Sequence, residues 1–429
     1  MAPQVIVVAG KDPLNEPGGG HSAYVRAHGY AAVHGGFDPQ IVCLGRSTCT
    51  VVTGFGTVHR HATPLRPVRQ LLIEGHARRL AGAVIELANR STDDLTLVHG
   101  FGVWSYGGLL AVRELRSQGR RASLLVSSYT TYRDEAVSHL RGERESFLRR
   151  CARLAETGAI YGLVAPRERA AYRGADEILV NYQSVARLVR ARFGPSVHVV
   201  QASYGPEAAF VSSDPMFGPQ TTFVPTDPVG SPLVMSIASH HPRKGIDVFV
   251  EALGTLKRGG VPVRACIVGR GPLRGAHADR VGQLGLTDSV TFPPFVTELR
   301  PLLDQCEIFV LSTRAEQSGS LALLEAMAAG KAIVASAVDG IIEDVADRED
   351  GLLVAPGNAQ ALADALRELL GDPALRRRLG ANAARTFARR FSAEPFAAAL
   401  GAAYRRRGLF VAASSESGAT VSRPQRTRS

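Results

Sequence analysis

Short apolar runs recur along the chain, separated by stretches with helical spacing. In the first half Gln4–Ala9, Gln40–Leu44, Leu95–His99, Ser123–Ser127 and Glu177–Val180 read as strands. The second half opens on "SPLVMSI" and continues with strands at Arg264–Val268, Ser289–Phe292, Ile308–Leu311 and Ala332–Ala335. Near-continuous apolar runs of this length predict strands buried on both faces, and their alternation with helices predicts parallel sheets. Each half starts in the same way: a strand, a glycine-bearing loop, then a helix. In the first half these are Gln4–Ala9, Gly18–Gly20 and Ser22–Val33.

Between the halves lies "FVSSDPMFGPQTTFVPTDPVGSP", rich in Pro and small residues, which reads as a linker. The expected division is therefore a doubly wound domain over 1–209, a linker over 210–232 and a second doubly wound domain over 233–390. A C-terminal helix over 391–411 is expected to return to the first domain, before a disordered tail over 412–429. Ligands of such sheets sit beyond the carboxyl ends of the strands. Two facing sheets predict a ligand in the cleft between them.

Composition narrows the classes. The chain has 429 residues with 45% hydrophobic and 21% charged residues, ordinary for a globular protein with two cores. No apolar run is long enough to cross a bilayer. "MAPQVIVVAGKDPL" lacks the basic and long apolar regions of a secretory signal and reads as a buried strand. Five scattered cysteines without metal-ligand spacing predict reduced thiols and a cytoplasmic setting. The net charge of +11 favours anionic partners. Nucleic acid is not expected, because no zinc-finger or RNP-like motif is present and aromatics are only 6%. Arg-rich helices in the first half are either solvated faces or a peripheral contact with an anionic membrane at its inner face.

The chemistry concentrates in "RAEQSGSLALLEAMAAGKAIVAS", Arg314–Ser336. A strand ends near Ser312, and a loop follows with Glu316 and Gly319. Ser320 is placed to cap a helix over Leu321–Ala329, with Gly330 as its stop and Leu321, Leu324 and Ala328 on its buried stripe. Free N–H groups at Gly319, Ser320 and Leu321 suit an anion such as a diphosphate. Glu325, about one turn in, suits the hydroxyls of a ribose diol. An anion turn beside a diol acid describes a nucleotide sugar; the plain alternative is an exposed helical acid.

"EQSGSLALLEAMAAGKAIVAS" resembles the glutamate-rich motif of retaining GT-B glycosyltransferases, in particular glycosyltransferase family 4 (group 1). "SIASHHPRKGIDVFVEAL", "ACIVGRGPL", "LGLTDSVTF", "LLDQCEIFVLST" and "VDGIIEDVADREDGLLVAPGNAQALADAL" are similar to that family's blocks in order and spacing. The likeness is weaker at "GGGHSAYVRAHGYAA", "LTLVHGFGVWSYGGLLA" and "ADEILVNYQSVARL". It implies a GT-B fold: two Rossmann-like α/β domains facing a central cleft. It also implies sugar transfer from a nucleoside diphosphate sugar to a hydroxyl of a glycan, a lipid-linked or a small-molecule acceptor.

The resemblance also assigns residues. Glu325 matches the acid that binds the donor ribose, and Glu316 the acid against the donor sugar. The family usually has seven residues between the two; here Gln317 stands at that spacing, so either the turn is longer or Gln317 faces the sugar. Lys244 would offset the diphosphate charge. The family's Arg five residues earlier is Ser239 here, and Arg243 could supply that charge. Gly269 and Gly271 in "VGRGPL" would admit the nucleotide base, and Gly19 and Gly20 would let backbone approach the donor. His99 could touch a sugar or be a buried structural histidine. The family's histidine after the next strand is missing, and Tyr129 stands closest to its place.

No cofactor is expected beyond the donor itself. No Asp-x-Asp pair or His/Cys cluster occurs, so no metal is expected either. Two other functions compete: a GT-B-fold sugar-nucleotide epimerase, and a sugar-nucleotide-binding protein that has lost catalysis, as Ser239 and Tyr129 could indicate.

Overall fold

The computed structural model describes residues 2–14, 20–63, 73–131, 158, 160–206, 232–293, 299–316 and 319–410. The sequence-based linker up to residue 231, the tail beyond 410, Gly18, Gly19 and Gln317 lie outside the described residues.

The first sheet has eight strands: β1 (Gln4–Val8), β2 (Asp38–Gly45), β3 (Cys49–Thr53), β4 (Gly56–Ala62), β5 (Leu95–Phe101), β6 (Arg121–Ser128), β7 (Glu177–Val180) and β8 (Val199–Gln201). Their order is β3-β4-β2-β1-β5-β6-β7-β8, parallel except for the β3–β4 hairpin. The helices α1 (Gly20–His34), α2 (Ile73–Arg90), α3 (Ser105–Ser117), α4 (Ala165–Arg173) and α5 (Gln183–Phe193) flank it. The second sheet has six strands: β9 (Leu233–Ile237), β10 (Arg264–Val268), β11 (Val290–Thr291), β12 (Ile308–Leu311), β13 (Ala332–Ser336) and β14 (Leu352–Val354). Their order is β11-β10-β9-β12-β13-β14, with all pairings parallel. With them come α6 (Ile246–Arg258), α7 (Arg274–Gln283), α8 (Arg300–Gln305), α9 (Leu321–Ala328), α10 (Ile341–Asp344), α11 (Ala359–Gly371), α12 (Pro373–Arg390) and α13 (Ala393–Arg406).

Both sheets bury both faces, which is why their strands are apolar throughout. On one face of the first sheet Val8, Val98 and Leu124 pack against Leu80 and Val84 of α2 and Leu109 and Val112 of α3. On the other, Val5, Leu97 and Leu125 share a core with Ala27 and Ala31 of α1 and with Phe396, Leu400 and Tyr404 of α13. The last described helix thus covers the first sheet. Glu177 on β7, fully buried, pins it by ion pairs to Arg406 and Arg407. In the second sheet Val234, Ile267 and Val310 pack on Phe249 and Leu253 of α6 and Leu362 and Leu366 of α11.

Two helix starts in the second half carry ordinary side-chain caps. Asn358 accepts from the Ala361 amide, and Asp372 accepts from Ala374 and Leu375. Four strands escape the apolar pattern. The hairpin β3–β4, with its two-residue turn Gly54–Phe55, carries exposed Thr50, Val51 and Val52 in place of a buried run. β8 and β14 are three residues long, too short to show a period.

Candidate active site

The order of the second sheet reverses between β9 and β12. A doubly wound sheet opens a crevice at such a point, because the two flanking connections leave in opposite directions. β9 leads to Arg243 and Lys244, and β12 leads to Glu316, so topology brings these distant residues together.

The loop after β9 makes a single 3-10 turn at Pro242–Lys244. It is strapped to the loop after β12. Ser312 Oγ donates to the Gly245 carbonyl at 2.8 Å, Thr313 Oγ1 to the Arg243 carbonyl at 2.9 Å, and the Arg314 amide to the same carbonyl at 2.7 Å. Gly245 has φ 61°, and a Cβ there would lie 2.0 Å from the Ser312 carbonyl oxygen. Only glycine fits. Arg314 adds a fork to Asp247 of α6, with bonds of 2.7 and 2.6 Å.

Within this frame Lys244 Nζ pairs with Glu316 Oε2, and Arg243 Nη1 approaches Glu316 Oε1 at 3.4 Å. The Glu316 amide donates to Asp339 Oδ2 at 2.8 Å. Side-chain exposure is 12% for Lys244, 29% for Arg243 and 8% for Glu316, so the carboxylate is buried between two cations. Burial lowers the Lys244 pKa most; Arg243 lowers it further, while Glu316 opposes both. The three groups carry one net positive charge. An incoming anion would meet it and compete with Glu316 for both cations.

Beyond Glu316 the chain reaches Gly319, at φ 70°, and then α9. Ser320 stands at the N-cap with extended backbone, but its hydroxyl makes no capping bond, contrary to expectation. The buried face of α9 is Leu323, Leu324, Ala326 and Met327. Leu321 and Ala328 are only half-buried, because the buried stripe falls on Leu323, Leu324, Ala326 and Met327 and not on the expected positions. Glu325, half-buried, lies one turn in.

Gly269 and Gly271 close the neighbouring corner. Their φ values are 153° and 154°, and a Cβ would lie 2.0 Å from the Ala238 carbonyl oxygen and 2.6 Å from that of His240, respectively. Their immediate role is therefore to let the loop after β10 lie on the loop after β9. Gly20 is the first residue of α1.

Two predicted residues fall elsewhere. β5 runs two residues past its expected end, to Phe101, so His99 lies inside the sheet, fully buried. Its Nδ1 hydrogen-bonds with Tyr404 Oη at 2.9 Å and its Nε2 with Ser127 Oγ at 2.8 Å. Burial holds its pKa well below the ordinary value. Both ring nitrogens of His99 are therefore engaged within the fold. Tyr129 also turns inward. Its ring stacks on Tyr24 at 3.7 Å, and its hydroxyl hydrogen-bonds with His28 Nε2 at 2.9 Å. The adjoining cavity, lined by His28, Ser127, Tyr204 and Phe396, is about 20 Å³, room for one water. The sequence reading missed His28, whose pKa burial lowers to about 4. No periodic signal marks it, since it lies on α1 among core positions.

Among the described residues no group of three or more His, Cys, Asp or Glu is placed to hold a metal ion. Nor is any helix there long and apolar enough to cross a membrane.

Residues 220–386 match the family model "Glycosyl transferases group 1". The chain is 32% identical over 180 residues to alpha-D-kanosaminyltransferase of Streptomyces kanamyceticus, covering 42% of this chain and 46% of that protein. It is 30% identical over 164 residues to lipopolysaccharide core biosynthesis glycosyltransferase LpsE of Rhizobium meliloti, covering 38% of this chain and 47% of that protein. The chain thus spans under half the length of these curated relatives. In fold it is similar to sucrose-phosphate synthase from Thermosynechococcus elongatus, with TM-score 0.69, 22% identity and 95% and 99% of the two chains covered. It is also similar to Anabaena HepE solved with UDP, with TM-score 0.63, 17% identity and 95% and 100% covered. The fold is GT-B, with two Rossmann-like parallel-sheet domains.

Proposed function

We propose that this protein is a retaining, metal-independent glycosyltransferase of the family 4 type. It would move a sugar from a nucleoside diphosphate sugar to an acceptor hydroxyl. One observation carries the reading: Lys244 and Arg243 flank a buried Glu316 at the crevice, three residues before Gly319 and the helix start that leads to Glu325. Cations and helix N–H groups suit a diphosphate, and an acid one turn in suits a ribose. The work left to the protein is positioning and stabilisation of the leaving diphosphate. In front-face attack the leaving phosphate helps to take the acceptor proton, so no protein base is required. An epimerase would need acid–base groups at the sugar, and His99 and Tyr129 spend their polar ends inside the first domain.

The test is transfer and hydrolysis of radiolabelled nucleotide sugars, with anomeric configuration read by NMR. UDP-glucose, present in an Anabaena HepE structure, heads the donor panel. Transfer in excess chelator should equal transfer with magnesium. Loss in chelator with rescue by magnesium or manganese would refute the metal-independent reading. Glu325→Gln should weaken nucleotide binding by roughly 10- to 100-fold, since a charged acceptor for the diol is lost at about 1.5–3 kcal/mol. Unchanged affinity by calorimetry would remove Glu325 from the site.

A further inference from the structure

One side chain of the first domain, Tyr182, reaches into the turns of the second. β7 ends at Val180, and Tyr182 stands at the N-cap of α5. Its ring crosses to the second domain and lies between two glycines. A Cβ on Gly319 would meet Tyr182 Oη at 2.2 Å, and a Cβ on Gly340 would meet the ring at 2.8 Å. Tyr182 is 2% exposed, and its hydroxyl donates to Asp344 Oδ2 at 2.7 Å. The neighbouring acid completes the contact. Glu343 accepts from the Gln183 amide at 2.9 Å and from the Ser184 amide at 3.1 Å. A carboxylate of one domain thus caps a helix of the other, where orphan N–H groups and the helix dipole both favour it.

Gly319 is the link between this contact and the chemistry. It is the residue immediately before Ser320 and α9, and its φ of 70° sets the direction of the turn. A tyrosine pressed against it limits the conformations the turn can take.

We propose that Tyr182 is a positioning residue: with Glu343 and Asp344 it forms an interdomain clasp that fixes the Gly319–Ser320 turn for a nucleoside diphosphate. The proposal rests on the donor reading above for its ligand, but not for the clasp itself. Burial and the adjacent Asp344 carboxylate hold the Tyr182 hydroxyl well above its ordinary pKa, so it stays a donor at neutral pH. The turn that receives the diphosphate is then complete only when the two domains are docked. Such a device links donor binding to closure of the cleft.

The experiment uses the full chain. Hydrogen–deuterium exchange without ligand should show amides of the peptide covering Gly319–Glu325 exchanging at least tenfold faster in Tyr182→Ala, with β12 and β13 unchanged. Glu343→Gln, a half-buried change that leaves the core intact, should move the same peptide in the same direction. In calorimetry UDP should bind at least tenfold more weakly to Tyr182→Ala. Tyr182→Phe, which keeps the ring between the glycines, should restore affinity to within about threefold. Unchanged exchange in both Tyr182→Ala and Glu343→Gln would overturn the clasp, as would faster exchange spread evenly over the second sheet. If the turn loosens as expected while the wild-type protein binds no nucleotide of the panel, the clasp stands and the donor reading falls.

Discussion

Lys244→Ala should lower kcat by about 10²- to 10³-fold, the loss typical of removing one preorganised group from a developing anion. The size follows from where Lys244 sits. Its side chain is 12% exposed, so its charge acts with little screening by water. Two effects must be separated. Removing Lys244 withdraws charge from the leaving diphosphate. It also leaves Glu316, 8% exposed, with Arg243 at 3.4 Å as its remaining cation among the described residues, and an underpaired buried carboxylate costs stability. The double variant Lys244→Ala/Glu316→Gln distinguishes them. It should recover much of the melting temperature lost in the single variant and none of the turnover. Recovery of turnover would mean that Lys244 serves only to neutralise Glu316. A single variant with wild-type kcat would remove the leaving-group argument altogether.

The pairing behind this prediction was partly legible in the sequence, and the reason is topological. Lys244 and Glu316 each follow an apolar run, and in a doubly wound sheet those runs end at one crevice. The strands were readable because both faces of each are buried, as in Val234, Val310 and Val334. The hairpin Cys49–Ala62 was not, since β3 is exposed along its middle and carries no buried run. Its signal was present in "VTGFGTV", two β-branched pairs around a glycine-flanked turn.

Other features depend on contacts that no local pattern encodes. The expected strand ends at His99, but β5 continues to Phe101 and closes the histidine in. Its partner Tyr404 lies 305 residues away, on a helix returning from the far end of the chain. Tyr182 and Asp344 are 162 residues apart in different domains. In sequence Tyr182 is one aromatic residue after a strand, and Gly340 is one glycine in a turn. Only the tertiary structure shows that these two features explain one another.

The clasp has a consequence for stability against pH, and Asp344→Asn should reveal it. Asp344 is 1% exposed, and its Oδ1 has no hydrogen-bond partner among the described residues. Burial is the main cause that raises its pKa from 3.8 to about 7; the Tyr182 hydrogen bond and Arg390 oppose the rise, and Glu343 and Asp350 add to it. An acid whose pKa is higher in the folded state binds more protons there than when unfolded. Its contribution is therefore full below pH 3.8 and is lost as pH rises through about 7. At about 1.4 kcal/mol per pH unit, the swing is on the order of 4 kcal/mol. Asn keeps an oxygen for the Tyr182 hydroxyl and carries no charge. Melting curves of wild type and Asp344→Asn should lie close together near pH 4 and separate as pH rises toward 8, with the variant the more stable by several degrees. Comparing the two proteins cancels the titration of groups that do not interact with Asp344. Parallel curves across that range would mean that Asp344 is ionised in the folded protein at ordinary cost, and that Tyr182 and Arg390 compensate its burial in full.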